Sequence, residues 1–496
     1  MPLQPFFQLS KSSFIRGLQC EKSLYLHTHH KELRNPDDPN KQRIFARGTE
    51  VGELARELFP GGMNAAYGKD FSVSANLKRT KELLEADVPI IYEAAFVFNG
   101  VLAIADIAVR KGKKWSVYEV KSSSEVKDVH VNDAAIQYYV LNGAGFSIRD
   151  VSIVTLSKAY IRHGELEIQK LFHIQSVLKE VKNLQRPIPE TVERFKKVLA
   201  AKSMPPIDIG IHCSQPYDCD FSNFCWKHIP DDSVFDIAGI RKTKAFDLYM
   251  RGIVKINDIP EKEKFSESQI IQINCAKKNI AVIETSVIQQ FLRSLHYPLY
   301  FMDFESFMPA VPMYDNSRPY QQIVFQYSLH CQGKPNGKLL HCEFLADAKN
   351  DPREEFIKHL LNDTKKEGDI LVYNNSFEGP RLKELARDFP QYKKELEERI
   401  SRIKDLMVPF RQKALYHPQL KGSYSIKNVL PVLAPEFSYD HLPINHGGPA
   451  MSAYEQLLQE TDMKKVLELR NDLLAYCKMD TLAMVKVVEG LKIIIK

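Results

Sequence analysis

The chain has 496 residues, of which 44% are hydrophobic and 26% charged, the balance of an ordinary globular protein with room for two or three domains. No run approaches 18 consecutive apolar residues, so no transmembrane helix and no membrane partner are expected. The start MPLQPFFQLSKSSF lacks the basic head, apolar middle and small-residue cleavage site of a secretory leader. A cytoplasmic location follows as an expectation, and in that reducing setting eight cysteines read as thiols or metal ligands before disulfides. The net charge of +6 permits a nucleic-acid partner without arguing for one.

In chain order, residues 1–230 read as one α/β unit. Helical spacing over 47–59 puts Val51, Leu54, Ala55 and Leu58 on one face. The period then changes to that of strands in PIIYEAAFVF, VLAIADIAVR and KWSVYEVKSS. Asn99-Gly100 is a strong hairpin turn between the first two, and Lys111-Gly112-Lys113 separates the second pair. NDAAIQYYVLNGAG returns to helix, and VSIVTLS is another strand. Residues 231–295 read as a small helical connector. Within it, IAGIRKTKAFDLYMRGIVKINDIP resembles a degenerate helix-hairpin-helix, although only Gly239 fills the expected turn, and a plain helical linker fits as well. From 296 to 496 the α/β pattern resumes, with strands in PLYFMDFESF, QQIVFQYSLHCQ, KLLHCEFLA and DILVYNN and a helix in EEFIKHLLND.

The first candidate site lies on the meander. Glu119 and Lys121 are two apart on one strand and share a face, and Asp106 is on the neighbouring strand. Two such carboxylates suit Mg²⁺ or Mn²⁺, and a lysine beside them can activate a water for attack on phosphorus. Glu53 on the preceding helix and Gln137 on the following one are placed to complete the shell. A lone D-x12-E-x-K is weak evidence, since Glu-x-Lys on a strand is often a solvated ion pair. Cys20, Cys213, Cys219 and Cys225 bracket this stretch as a soft-metal staple would, with a four-thiolate zinc site as the alternative.

SKSSFIRGLQCEKSLYL together with HCSQPYDCDFSNFCW resembles the iron–sulfur type of RecB-like PD-(D/E)XK nucleases, which include the nuclease of AddB and the CRISPR adaptation nucleases. The resemblance spans most of residues 10–228. It implies a restriction-endonuclease-like core, Glu53, Asp106, Glu119, Lys121 and Gln137 as site residues, and a [4Fe–4S] cluster on the four cysteines. Gly52 stands where that family often has a histidine, and the downstream spacing is C-x5-C-x5-C.

The second candidate site is Asp303-Phe304-Glu305, two acids on one strand face, with Tyr476 and Asp480 at helical i, i+4 spacing near the end. Unpaired buried acids rarely serve packing, and these suit a pair of divalent ions clamping the attacking and leaving oxygens. Together with Glu378 in NNSFE, Asp405 in RIKDLM and the stretch GSYSIKNVLP, they resemble the DnaQ-like, tyrosine-subclass DEDD exonucleases of the ribonuclease H-like superfamily. Glu378 stands where that family has Asp. The resemblance covers about 296–496 and implies 3′→5′ exonuclease activity, with DNA favoured over RNA. The expected whole is a two-nuclease fusion of the kind suited to DNA repair or antiviral defence. Its rivals are an RNA-processing exonuclease with an amino-terminal RNA clamp, and a non-catalytic nucleic-acid-binding component of a larger complex. His212, His228, His417 and His446 have no ligand spacing.

Overall fold

A computed structural model describes residues 7–36, 39–66, 72–439, 443–444 and 446–496, with the backbone alone at 39–41. Residues 1–6 of the stretch read for a leader lie outside them. The chain is mixed α/β, and contacts divide it into two units. The first holds residues up to His228 together with Pro309–Gln321, and the second holds Ile229–Met308 and Gln322–Lys496. The connector expected at 231–295 thus groups with the second unit, and the loop 309–321 groups with the first. Among the described residues no helix is long and apolar enough to cross a membrane.

The first unit is built on helices α1 (Lys11–Gln19), α2 (Glu21–His29), α3 (Pro39–Ala55), α4 (Val73–Glu85) and α5 (Asp128–Gly143) around a seven-stranded sheet. Its strands are β1 (Leu9–Ser10), β2 (Met63–Asn64), β3 (Ile90–Phe98), β4 (Val101–Lys111), β5 (Lys114–Val120), β6 (Ile148–Leu156) and β7 (Phe172–Ser176). They run in the order β2-β3-β4-β5-β6-β7, with β1 paired to β4. β3, β4 and β5 form the expected antiparallel meander. Asn99 and Gly100 both have positive φ, 45° and 64°, the backbone of a primed two-residue turn that matches strand twist. After α5 the chain returns as β6, parallel to β5, a helical crossover that requires both sheet faces to be covered. α5 accordingly buries Ala134, Ile136, Val140 and Leu141 in one core with Phe96, Ala103 and Val117. A second core contains Val51 and Ala55 of α3, Tyr92, Ile107 and Val154 of the sheet, and Ala310 and Val311 of the loop.

In the second unit, Val234, Ile237, Leu248, Ile256 and Ile273 form a small core of the connector helices. β8 (Val282–Ile283) leads to β9 (Leu299–Phe307), β10 (Ile323–Gln332), β11 (Leu339–Leu345), β12 (Asp369–Val372), β13 (Ile403–Asp405) and β14 (Leu415–Tyr416). The five-stranded sheet runs β11-β10-β9-β12-β13. β9 is therefore central, antiparallel to β10 and parallel to β12. That position explains its nearly continuous apolar sequence, and it makes the two acids that interrupt the run conspicuous. β13 has three residues, too few for the alternation that marks a strand in sequence. The 32-residue carboxy-terminal helix Met463–Ile494 buries Leu473, Tyr476, Cys477 and Asp480.

Candidate active sites

In the first unit, the β4–β5 ladder runs through the Ile107–Tyr118 rung, which brings Asp106 and Glu119 together one residue beyond it. The Asp106 Oδ2 accepts the Val120 amide at 2.7 Å. Glu119 is buried, and both of its oxygens are engaged. Oε1 accepts from Lys11 Nζ at 2.6 Å and from Lys121 Nζ at 2.7 Å, while Oε2 accepts from Gln137 Nε2 at 2.7 Å. Lys121 also pairs with Asp133, and Lys11 approaches the same carboxylate at 3.4 Å. Asp106, Glu119, Lys121 and Gln137 are thus brought together as the sequence pattern expects.

Glu53 is exposed on α3, and among the described residues none of the site's hydrogen bonds or ion pairs reaches it. The nearby acid is Glu93, which lies between the Tyr92–Ile107 and Ala94–Ala105 rungs with φ of 55°. It is held by Arg56 at 2.9 Å. Sequence reasoning also missed Lys11 and Asp133. Asp133 precedes Gln137 by four residues, so the helical period placed both on one face of α5. Lys11 carried no local signal, being 108 positions from its partner Glu119.

Charges here nearly balance. Burial penalises the charged form of Glu119, but the ammoniums of Lys11 and Lys121 overcome it and hold the carboxyl well below the usual range. Burial likewise opposes Lys121, yet Glu119 and Asp133 keep it raised. Asp106 is pushed up to about 7 by burial and by the neighbouring charge of Glu119.

Cys20, Cys213, Cys219 and Cys225 line one pocket, with Lys22, Ser23 and Phe221. Burial raises the thiol of Cys20, backbone amides of Ser23 and Lys22 counter it, and Cys219 and Cys213 add to it. The four thiols share this pocket, but among the described residues they do not form a group of ligand atoms within 4.8 Å of one another.

In the second unit, Phe304 packs into the core against Phe356 at 4.9 Å between ring centroids, and this turns Asp303 and Glu305 to the other face of β9. A register shift between Val324 and Gln326 sits beside Glu305, the kind of bulge that re-aims a side chain. One carboxylate oxygen from each of Asp303, Glu305 and Asp480 lies within 4.8 Å of the other two. Tyr439 donates to Asp480 Oδ1 at 2.9 Å, and the Tyr476 hydroxyl helps to lower the same carboxyl against its burial. The Cys477 thiol lies 3.6 Å from Asp303 Oδ2. A cavity of about 260 Å³ opens on Asp303, Glu305, Asp480, Tyr476, Tyr373 and Lys427.

Glu378 starts a helix, Glu378–Asp388. It is buried, its Oε2 has no hydrogen-bond partner, and its charge is felt by Asp303 and Glu305. Asp405 accepts the amides of Asn374 and Met407 at 3.0 and 2.9 Å and pairs with Arg411, so it is already satisfied as a loop anchor. Burial, then mutual repulsion, raises Asp303 and Glu305 well above ordinary carboxylates. Burial also moves Glu378 up to about 8 and Asp480 up to about 6. Asp303, Glu305 and Asp480 are thus a close, largely buried group of acids that could hold a cation. Tyr439 and Lys427 were not foreseen, though GSYSIKNVLP, which holds Lys427, had been singled out.

Residues 300–425, which include Asp303, Glu305, Glu378 and Asp405, match a domain of unknown function, DUF2779. The chain is similar to an uncharacterized protein of Ureaplasma parvum, 32% identical over 35% of this chain and 26% of that protein. It is also similar to uncharacterized proteins of Mycoplasma genitalium, 28% identical over 40% of this chain and 32% of the relative, and of Mycoplasma pneumoniae, 28% identical over 42% and 34%. The matches thus span a quarter to a third of the length of these curated relatives.

Proposed function

We propose that the chain is a metal-dependent nuclease whose second unit trims nucleic acid from the 3′ end, with single-stranded DNA the favoured substrate. The observation that carries this is the convergence of Asp303, Glu305 and Asp480 to within 4.8 Å, joined by buried, unsatisfied Glu378 and by Tyr476. Asp303, Glu305 and Asp480 would hold Mg²⁺ or Mn²⁺, with Glu378 beside them. Such ions polarise a phosphoryl oxygen and make water nucleophilic near neutral pH. The protein's own contribution is positional. β9 and the carboxy-terminal helix fix the carboxylates, the hydroxyl of Tyr439 orients Asp480, Tyr476 lines the cavity beside them, and the cavity admits a strand end. The central position of β9, between a hairpin and parallel strands, supports the ribonuclease H-like reading.

The first unit reads as a RecB-like PD-(D/E)XK domain with a [4Fe–4S] cluster, or zinc, on its four cysteines. The meander, the parallel crossover through α5 and the Asp106, Glu119 and Lys121 set support that reading. As arranged, Glu119 Oε1 is taken by both lysines and Oε2 accepts from Gln137, so a divalent cation there would compete with two ammoniums. That favours a nucleic-acid-binding role for this site over cleavage, with the lysines as the groups a backbone phosphate would compete for.

The deciding experiment incubates 5′-labelled single-stranded DNA, duplex DNA and RNA with Mg²⁺ or Mn²⁺ and wild type, Asp303→Ala or Lys121→Ala protein. Stepwise shortening should vanish in Asp303→Ala, by a factor of at least about 10² for a lost metal ligand, and should persist in Lys121→Ala. Trimming that survives Asp303→Ala and stops in Lys121→Ala would transfer catalysis to the first unit. If no substrate were degraded, the binding-component reading would replace the nuclease.

A further inference from the structure

The carboxy-terminal helix meets the sheet of the second unit through buried polar side chains as well as apolar ones. On β10, Gln326 stands opposite Glu305 and Ser328 opposite Asp303, and residues directly opposite across a ladder share a face. The two neutral residues therefore face the helix beside the two acids. Gln326 Nε2 donates to Leu473 O at 2.8 Å, and Ser328 Oγ lies 2.7 Å from Thr481 Oγ1. Leu473 and Thr481 are just over two turns apart, about 12 Å along the axis. Tyr476, Cys477 and Asp480 fall between them.

Thr481 Oγ1 is the centre of a small network. It donates to Lys478 O at 3.1 Å and lies 2.8 Å from His330 Nδ1, while Ser328 Oγ lies 3.0 Å from His341 Nε2. One arrangement of protons satisfies every member. With the Thr481 proton on Lys478 O, the Thr481 oxygen accepts from Ser328 and from His330 Nδ1–H, and Ser328 accepts from His341 Nε2–H. Gln326, Ser328 and Thr481 are 0, 1 and 0% exposed. A sheet–helix contact at that depth is ordinarily apolar, because buried polar groups cost stability unless fully bonded. Gln326 is not fully bonded, since its Oε1 has no partner. Stability alone thus gives no reason for these residues. Their place does: they tie the helix that carries Asp480 to the strand beside Asp303 and Glu305, and these acids repel Asp480 across that contact.

We propose that Gln326, Ser328 and Thr481 are positioning residues that clamp the carboxy-terminal helix to β10 and set the distance of Asp480 from Asp303 and Glu305 before a cation binds. The proposal rests on the reading of these acids as a cation site and extends it to the groups behind them. Without the clamp, repulsion lets the helix ease away, and an arriving ion must first draw the acids back together. Losing a partner that stands behind metal ligands typically lowers metal affinity about 10–100-fold.

The test titrates the full chain with Mn²⁺ by calorimetry, well below its melting temperature, and counts the binding that Asp303→Ala removes. Thr481→Val keeps the shape of the side chain and loses its hydroxyl, so it should bind about 10–100-fold more weakly than wild type. Thr481→Ser should recover most of that loss. Gln326→Leu separates position from stability. Trading a buried, half-bonded amide for an apolar group of similar size should leave the melting temperature unchanged or raise it, while Mn²⁺ affinity still falls. Affinity equal to wild type in Thr481→Val or in Gln326→Leu would overturn the proposal, as would a loss in Thr481→Val that Thr481→Ser does not repair. Should Thr481→Val fail to fold, Gln326→Leu decides alone. Those outcomes leave the cation site standing, whereas a wild type with no Asp303-dependent Mn²⁺ binding removes the site and the clamp together.

Discussion

Asp303, Glu305, Glu378 and Asp480 are held close in a largely buried site, and the folded chain keeps them there against their own repulsion. Burial raises all four above ordinary carboxylates, Asp480 up to about 6 and Glu378 up to about 8. For an acid raised in the folded state, stability is fully present below the unfolded value near 4 and is lost as pH climbs through the folded value. Between about pH 4 and 8 these carboxyls therefore hold more protons folded than unfolded, and their contribution to stability should fall with rising pH, most cleanly above about pH 6.5, where the buried His130 and His330, lowered to about 4, no longer act in the opposite direction. Asp106, raised to about 7, adds to the same trend. Metal-free protein should melt higher at pH 5 than at pH 8, and Mn²⁺ should narrow the gap by supplying the missing positive charge. Metal binding should also tighten with pH over that window, because each ligand must release its proton. Melting curves at the two pH values, with and without Mn²⁺, decide it. A metal-free protein more stable at pH 8 would mean that these carboxyls are not raised.

Elements differ in how much of their role could be seen beforehand. β9 was legible because two acids at alternating positions interrupt an apolar run, a pattern that packing does not produce. The meander was legible from Asn99-Gly100 and strand periodicity, and the pair Tyr476 and Asp480 from the helical repeat. Lys11, Glu93 and Tyr439 were not, because each meets its partner through tertiary contacts that no local period encodes. Glu53 shows the limit of a local period. Helical spacing put it on α3, but the tertiary fold leaves it exposed and brings Arg56 of the next turn onto Glu93 instead. The short helix Ser222–Cys225 carries Cys225, for which spacing to distant cysteines is what suggests the proposed role. Closing Cys20 onto Cys213 and its neighbours ties a loop of roughly 190 residues, worth on the order of 5 kcal/mol by the chain-entropy argument for cross-links. Protein purified without oxygen should contain about four irons and four inorganic sulfides per chain and absorb in the visible region. Cys213→Ala should lose that absorption and melt at a lower temperature. Stoichiometric zinc with no iron would replace the cluster with a four-thiolate site.

At the scale of the molecule, the first unit is not a continuous piece of chain. After β9 delivers Asp303 and Glu305, residues 309–321 belong to the first unit before the chain resumes as β10. Ala310 and Val311 are buried in the core that contains Val51, Ala55 and Ile107. The loop is also tied by hydrogen bonds. The Arg162 amide donates to Ser317 O at 3.0 Å, the Asn316 amide to Arg162 O at 2.8 Å, and the Gly164 amide to Asp315 Oδ1 at 2.7 Å. Tyr320 shares a hydrogen bond of 2.8 Å with Ser122, the residue after Lys121. Burying Val311 and Ala310 contributes on the order of 2–4 kcal/mol, a large part of the roughly 5–15 kcal/mol that stabilises a domain. A fragment ending at residue 230 would contain the whole meander and all four cysteines but expose this surface. It should unfold at a clearly lower temperature than the same unit in the full chain, and Val311→Ala in the full chain should move the first unit's transition part of the way, by about 1 kcal/mol or more. The check is calorimetry of the fragment, the full chain and Val311→Ala under one buffer. A fragment whose transition coincides with that of the full chain would show that the loop merely rests on a self-sufficient domain. The expected shift would mean instead that the strand carrying the second site's acids runs directly into a segment the first unit requires.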